Sequence, residues 1–164
     1  RVVGAAFLAE AAAEKTELVF VTDDANLLRF PASAVRPQGR PAAGMAGIKT
    51  SGRALWFGSV VDVAAAMVVT VAGSSAALPG TESGTVKVTP LELYPAKGRA
   101  TGGVRCHKFR AGQDSLLHAW VGIGPARAAA ASGVPIPLPE PDPRRDGTGA
   151  AGTSPIDGIG GAIT

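Results

Sequence analysis

The apolar positions of this chain come in short runs, each closed by turn-forming residues. Residues 18–22 (Leu-Val-Phe-Val-Thr) and 67–71 (Met-Val-Val-Thr-Val) are β-branched and aromatic runs, long enough for a strand and too short for a helix. The first is followed by Asp23-Asp24-Ala25-Asn26, side chains suited to tight turns, and the second by a longer loop over residues 73–84. A second strand is predicted to pair back in each case, over 27–30 and 85–89. Pro31 and Pro90 end these strands, because proline cannot donate to a ladder. Further strands are predicted at 45–49 and 55–61, and at 104–109 and 115–121. Residues 1–8 read as the closing strand of an earlier unit, and residues 9–15 as a linker with one helical turn.

These elements repeat. Pro31 superposes on Pro90, Gly39-Arg40 on Gly98-Arg99, Gly44 on Gly103 and Lys49 on Lys108, all 59 residues apart. Upstream, 19–21 matches 69–71 at a shorter offset, which places an insertion within 73–81. The expected organisation is one four-stranded blade over 16–64 and another over 65–123, preceded by residues 1–15. One blade cannot bury both of its faces, so stacking on neighbours must supply the core. Past Gly122 the sequence changes to Pro135-Ile136-Pro137-Leu138-Pro139, then Pro141, Pro143 and a Gly- and Ala-rich end. Residues 124–164 are therefore expected to form a Pro/Gly-rich tail, disordered over 142–164.

Charge changes the picture more through its placement than its size. The net charge is +3. Residues 28–53 nevertheless hold Arg29, Arg36, Arg40, Lys49 and Arg53 with no acid. Residues 93–113 hold Lys97, Arg99, Arg105, Lys108 and Arg110, again with no acid, whereas 54–86 carries Asp62 and Glu82 and no base. Two basic windows at matching places in a repeat predict a polyanion partner. The competing reading is a β-repeat module whose basic rim docks an acidic protein. A third, less favoured, is a membrane-associated protein with a span near 54–78, a stretch without Lys or Arg. Asp62, Gly73, Ser74, Ser75 and the repeat itself instead divide that stretch into two strands and a loop.

Other chemistry finds little support. With Cys106 as the sole cysteine, no internal disulfide can form, and a reducing cytoplasm fits. Cys106 and His107 are adjacent and would point to opposite faces of a strand, so no metal site is expected. His118 has no Ser-His-acid context, and Trp56 and Trp120 are expected to fill blade cores. Paired carboxylates and a phosphate-cradling motif are lacking, which argues against an enzyme acting unaided. The chain opens at Arg1 inside an apolar run without a charged leader region, and reads as a fragment.

Residues 88–104, Val-Thr-Pro-Leu-Glu-Leu-Tyr-Pro-Ala-Lys-Gly-Arg-Ala-Thr-Gly-Gly-Val, resemble the blade signature K-R-T-P-L-x-x-Y-x-x-x-G-R-x-x-x-G-V of the A subunits of DNA gyrase and topoisomerase IV. Residues 31–48 carry a weaker form, and the resemblance covers roughly residues 2–143. Of the gyrase box Q-R-R-G-G-[RK]-G, residues 38–44 keep Gln38, Arg40 and Gly44. The overall wording looks more like topoisomerase IV from a GC-rich bacterium.

The resemblance implies an all-β fold, a partial β-pinwheel of four-stranded blades with a disordered C-terminal tail. It also implies duplex DNA binding and bending without sequence readout, in support of supercoiling or decatenation by the whole enzyme. The family's catalytic tyrosine lies in a different domain. Tyr94 aligns with Val35 and is expected to pack. No cofactor is expected in this part, since the family's whole enzyme uses ATP and Mg on other domains. The implied partners are duplex DNA, two ATPase B subunits and a second A subunit, in a cytoplasmic, chromosome-associated setting. The expected DNA contacts are Arg29, Arg36, Arg40, Lys49, Arg53, Lys87, Lys97, Arg99, Arg105, Lys108 and Arg110. Arg40 paired with Arg99, and Lys49 with Lys108, carry the most weight among them.

Overall fold

The computed structural model describes residues 1–161. Its strands in chain order are β1 (Glu17–Thr22), β2 (Asn26–Pro31), β3 (Ala54–Val60), β4 (Ala66–Gly73), β5 (Thr85–Pro90), β6 (Val104–Arg105), β7 (Ser115–Ile123), β8 (Arg127–Ala129), β9 (Pro135–Ile136), β10 (Ala150–Ala151) and β11 (Gly158–Gly160). They form three antiparallel sheets with the orders β3-β1-β2-β6, β10-β5-β4-β7 and β11-β8-β9. One plan recurs in each. A hairpin forms first, and the strand that follows returns to the free side of the hairpin's first strand.

The remaining strand of a sheet comes from the next unit along the chain. β6 pairs with β2 through Asn26↔Arg105 and Leu27↔Val104, and β10 pairs with β5 through Thr85↔Ala151 and Val86↔Ala150. Two predicted strands therefore need correction. Residues 104–109 contribute only a two-residue strand, and it belongs to the first sheet. Residues 45–49 join no ladder at all. Their apolar character signals a strand, but such a segment pairs only with an edge belonging to another unit.

Glycine permits the exchange. Gly103 and Gly149 have φ of +71° and +67°, and a Cβ there would stand 2.2 Å from the Leu27 carbonyl oxygen and 2.5 Å from that of Val86. Only a residue without a Cβ combines left-handed backbone with so close an approach. Gly44, the equivalent in the first unit, also has positive φ, at +88°, but a Cβ there would meet nothing within 4 Å.

The core lies between sheets. Val19, Val21 and Leu27 of the first sheet pack with Val68, Ala72, Leu116 and Val121 of the second. The opposite face of the second sheet, Val69, Val71, Val86 and Val88, packs on Ala128, Ile136 and Ile156. Because both of its faces are covered, β4 is a near-continuous apolar run without polar alternation.

The expectation of a tail over residues 124–164, disordered from 142, is corrected as far as residue 161. β8, β9 and β11 form a third sheet, and β10 completes the second. Stacking Ala128, Ile136 and Ile156 on the second sheet offsets the ordering entropy that composition alone suggested could not be met. Proline is tolerated at the first position of a strand, where Pro135 stands in β9. Residues 162–164 lie outside the described residues.

Residues 1–8, expected to be a strand, join no ladder, and a single 3-10 turn, Glu10–Ala12, lies in the linker. Residues 54–78 divide between β3, β4 and their flanking turns. No helix among the described residues is long and apolar enough to cross a membrane.

Candidate nucleic-acid interface

The strand exchange carries the basic loop of one unit onto the sheet of the unit before it. Lys97 N–H donates to the Arg29 carbonyl, Ala100 N–H to that of Gly47, and Lys49 N–H to that of Thr101. The Arg99 guanidinium donates to the Ala46 carbonyl at 2.7 Å. Lys49, Lys97 and Arg99 thus lie along one seam, with Arg105 opposite Asn26 on the adjoining edge.

The next seam repeats these bonds. Asp142 N–H donates to Val88 O as Lys97 does to Arg29 O, and Lys108 N–H donates to Gly147 O as Lys49 does to Thr101 O. Lys49 and Lys108 therefore occupy equivalent places in successive seams. Arg110 lies on the second seam, where its guanidinium donates to the Gly149 carbonyl at 2.7 Å.

Arg36, Arg40, Lys49, Lys97, Arg105 and Lys108 are all exposed. Among the described residues their charged groups have no side-chain hydrogen bond or ion pair, so they are free to meet an anion. Arg53 is exposed but bonded to Asp23 at 2.9 Å, a surface pair that a competing anion can displace.

Two of the expected contacts are corrected. Arg29 is largely buried, grips both oxygens of Glu17 and donates to the Tyr94 carbonyl, so its charge is already neutralised. Lys87 is 1% exposed and cannot face a phosphate. Its alternation along β5 gave no warning, because that strand is buried on both faces.

Lys87 instead rivets three segments. Its ammonium, with three N–H donors, is surrounded by four acceptors: Thr89 Oγ1 (2.6 Å), Tyr94 Oη (3.1 Å), the Cys106 carbonyl (3.2 Å) and the Arg145 carbonyl (2.8 Å). All four acceptors are neutral. Burial accordingly draws its pKa down to about 8 from 10.5. The unfolded chain holds this proton up to pH 10.5 while the folded chain releases it near 8, so rising pH removes a folding penalty across that window. Relative to a Lys87→Met variant, the parent chain is expected to gain about 2 kcal/mol of stability between pH 7.5 and 9.5. Urea unfolding at the two pH values checks this, and a constant difference between the two proteins would refute it.

Tyr94 is fully buried, with its hydroxyl inside this cluster and its pKa raised by burial. Cys106 is also fully buried, and desolvation pushes its thiol up to about 12, so it is a packing residue without nucleophilic character. No cluster of potential metal ligands occurs among the described residues. Trp56 and Trp120 are part-buried, packed against the first and second inter-sheet cores.

The sequence reading overlooked Arg145 and the left-handed glycine that follows it. The signal was the spacing Arg-x-x-x-Gly, present three times as Arg40…Gly44, Arg99…Gly103 and Arg145…Gly149.

Comparison with known proteins agrees with this geometry. Residues 16–64 and 80–119 match the family described as DNA gyrase C-terminal domain, beta-propeller. A topoisomerase subunit, TopoM, of Mycolicibacterium smegmatis is 36% identical over 106 residues, covering 65% of this chain and 14% of that protein. The A subunit of DNA gyrase from Salmonella typhimurium is 34% identical over 103 residues, 63% of this chain and 11% of that protein. The crystal structure of the C-terminal domain of a DNA topoisomerase IV superposes with a TM-score of 0.67 at 16% identity, covering 89% of this chain and 46% of that one, which is a likeness of fold. The chain thus spans a small part of its curated relatives and about half of the solved domain. With the family match extending over more than half of its residues, the chain belongs to the DNA gyrase C-terminal domain, beta-propeller family.

Proposed function

We propose that this chain binds and bends duplex DNA without reading its sequence, as the C-terminal region of a type IIA topoisomerase A subunit. The observation that carries the reading is the repeated seam, which sets Lys49 and Arg99, then Lys108 and Arg110, along successive sheets. Cations spread along a path neutralise successive phosphates and release their counterions, an interaction that needs no base contact. Among the described residues the all-β framework offers no recognition helix for the major groove. Any sequence preference then reflects how readily the duplex bends. Supercoiling or decatenation belongs to the whole enzyme, with two ATPase subunits and a second copy of the DNA-cleaving subunit, working on the chromosome in the cytoplasm.

The test is an Arg40→Ala/Arg99→Ala variant titrated with linear duplex DNA at several salt concentrations. Affinity at low salt is expected to fall about tenfold, and the slope of log affinity against log salt to flatten by roughly two. Unchanged affinity and slope reject the assignment. If an acidic protein instead displaces bound DNA and is itself held more tightly, the rim is a protein-docking surface.

A further inference from the structure

We propose that Arg145 is the third phosphate-contacting arginine of the rim, and that Asp142 and Asp146 make it the weakest of the three. This rests on the DNA-binding reading above and extends it to the third unit. Arg40, Arg99 and Arg145 each stand four residues before a glycine of positive φ. In the second and third cases that glycine lies against a carbonyl of the preceding sheet and starts the exchanged strand, β6 or β10. Arg99 and Arg145 therefore occupy one structural position in successive units, and Arg40 shares their spacing to a left-handed glycine.

Arg145 is well placed for this role. Its backbone is fixed, since its carbonyl accepts hydrogen bonds from Lys87 Nζ at 2.8 Å and from Tyr94 Oη at 3.2 Å. Its residue is exposed, and among the described residues its guanidinium has no hydrogen-bond or ion-pair partner. Arg99, by contrast, commits one donor to the Ala46 carbonyl. An anchored backbone beneath an unengaged guanidinium lowers the ordering cost of bidentate contact with a phosphate.

The surroundings of the three arginines differ in charge. Residues 36–44 carry Arg36 and Arg40 without an acid, and 95–103 carry Lys97 and Arg99 without an acid. Residues 140–149 set Glu140, Asp142 and Asp146 against Arg144 and Arg145. Arg144 is ion-paired with Asp142 at 3.1 Å, and that pairing holds the Asp142 carboxyl below its usual range. Asp146 directly follows Arg145 in the chain and offsets its field. A duplex following the rim thus meets two cationic loops and then one in which the acids outnumber the bases, so its path weakens toward the third unit.

Three variants of the full chain, titrated with linear duplex DNA, test the proposal. Arg145→Ala keeps the backbone bond to Lys87 and is expected to flatten the salt slope by about one, while Arg145→Lys keeps the slope. Asp142→Asn/Asp146→Asn retains an acceptor for the Arg144 N–H and is expected to tighten binding about threefold at low salt. Wild-type affinity and slope in Arg145→Ala, alongside a loss in Arg40→Ala/Arg99→Ala, overturn the assignment of Arg145 and leave the DNA-binding reading standing. If neither set of arginine variants moves, both fail. Unchanged binding in the asparagine variant overturns the attenuating role of the two aspartates. Thermal melts matching the parent chain confirm that each variant is compared in its folded state.

Discussion

Replacing Gly103 with alanine is expected to destabilise the chain by about 3 kcal/mol or more, while the same change at Gly44 costs only about 1 kcal/mol. Both residues hold left-handed backbone, so both substitutions carry the strain of an L side chain at positive φ. They differ in what the new methyl group meets. At position 103 it would stand 2.2 Å from the Leu27 carbonyl oxygen, 2.7 Å from the carbonyl carbon and 3.0 Å from Leu28 N. All three are backbone atoms of a central hairpin strand, so relief requires moving β6 off β2 and breaking the exchange that joins two sheets. At position 44 nothing lies within 4 Å, and the strain is the whole cost. Gly149→Ala, with the Val86 carbonyl oxygen 2.5 Å away, should behave like Gly103→Ala. Urea unfolding midpoints of the three variants separate the two contributions. Equal shifts at 44 and 103 would show that close approach is not what holds glycine at the seam.

This contrast also bears on how far the fold was legible in the sequence. The first hairpin is the most readable because its information is local: a β-branched run, the turn cluster Asp23-Asp24-Ala25-Asn26 and a closing proline fall within fifteen residues, 17–31. Strand exchange was not readable, since Val104 looks like any strand residue and its pairing with Leu27 depends on a partner 77 residues away. Gly103 and Gly149 mark the exchange points, but without coordinates Gly103 reads as one of several loop glycines that allow close approach, and nothing local singles out Gly149 in the Pro/Gly-rich end. The third sheet was missed for a different reason. Its strands are two or three residues long and flanked by proline, so no local pattern separates them from a disordered tail. Only burial of Ile136 and Ile156 against the second sheet reveals them.

For the interface, composition located the basic windows but could not sort their members. Lys87, just ahead of the second window, and Lys97, within it, are both expected contacts, yet the first is sealed among neutral acceptors and the second is exposed. Arg29 and Arg40 divide in the same way, because Glu17 lies opposite the first and nothing among the described residues pairs with the second. Burial on both faces of a strand is set by inter-sheet stacking, which appears in neither charge nor spacing.

Acid is expected to weaken this fold through His107. Its ring joins three segments: Nδ1 lies 2.9 Å from Thr70 Oγ1 on β4, and Nε2 lies 3.1 Å from Thr85 Oγ1 on β5 and 3.2 Å from the Thr148 carbonyl. A carbonyl can only accept, so Nε2 carries the proton and Nδ1 accepts from the Thr70 hydroxyl. The ring is 1% exposed, and burial, aided by the Lys87 and Arg110 charges, lowers its pKa from 6.5 to about 4. Between those values the unfolded chain takes up a proton that the folded chain refuses. Stability from this residue is therefore complete above pH 6.5 and drains away as pH falls toward 4, by about 3 kcal/mol in total. His107→Gln supplies a neutral donor and acceptor in its place, and its stability should not follow pH through this group. The stability difference between the parent chain and His107→Gln should shift in favour of the variant by about 2–3 kcal/mol between pH 7 and 4.5, with carboxylate effects common to both cancelling. Urea unfolding at those two pH values measures the shift, and a difference that stays constant would mean the imidazole is protonated without penalty in the folded chain.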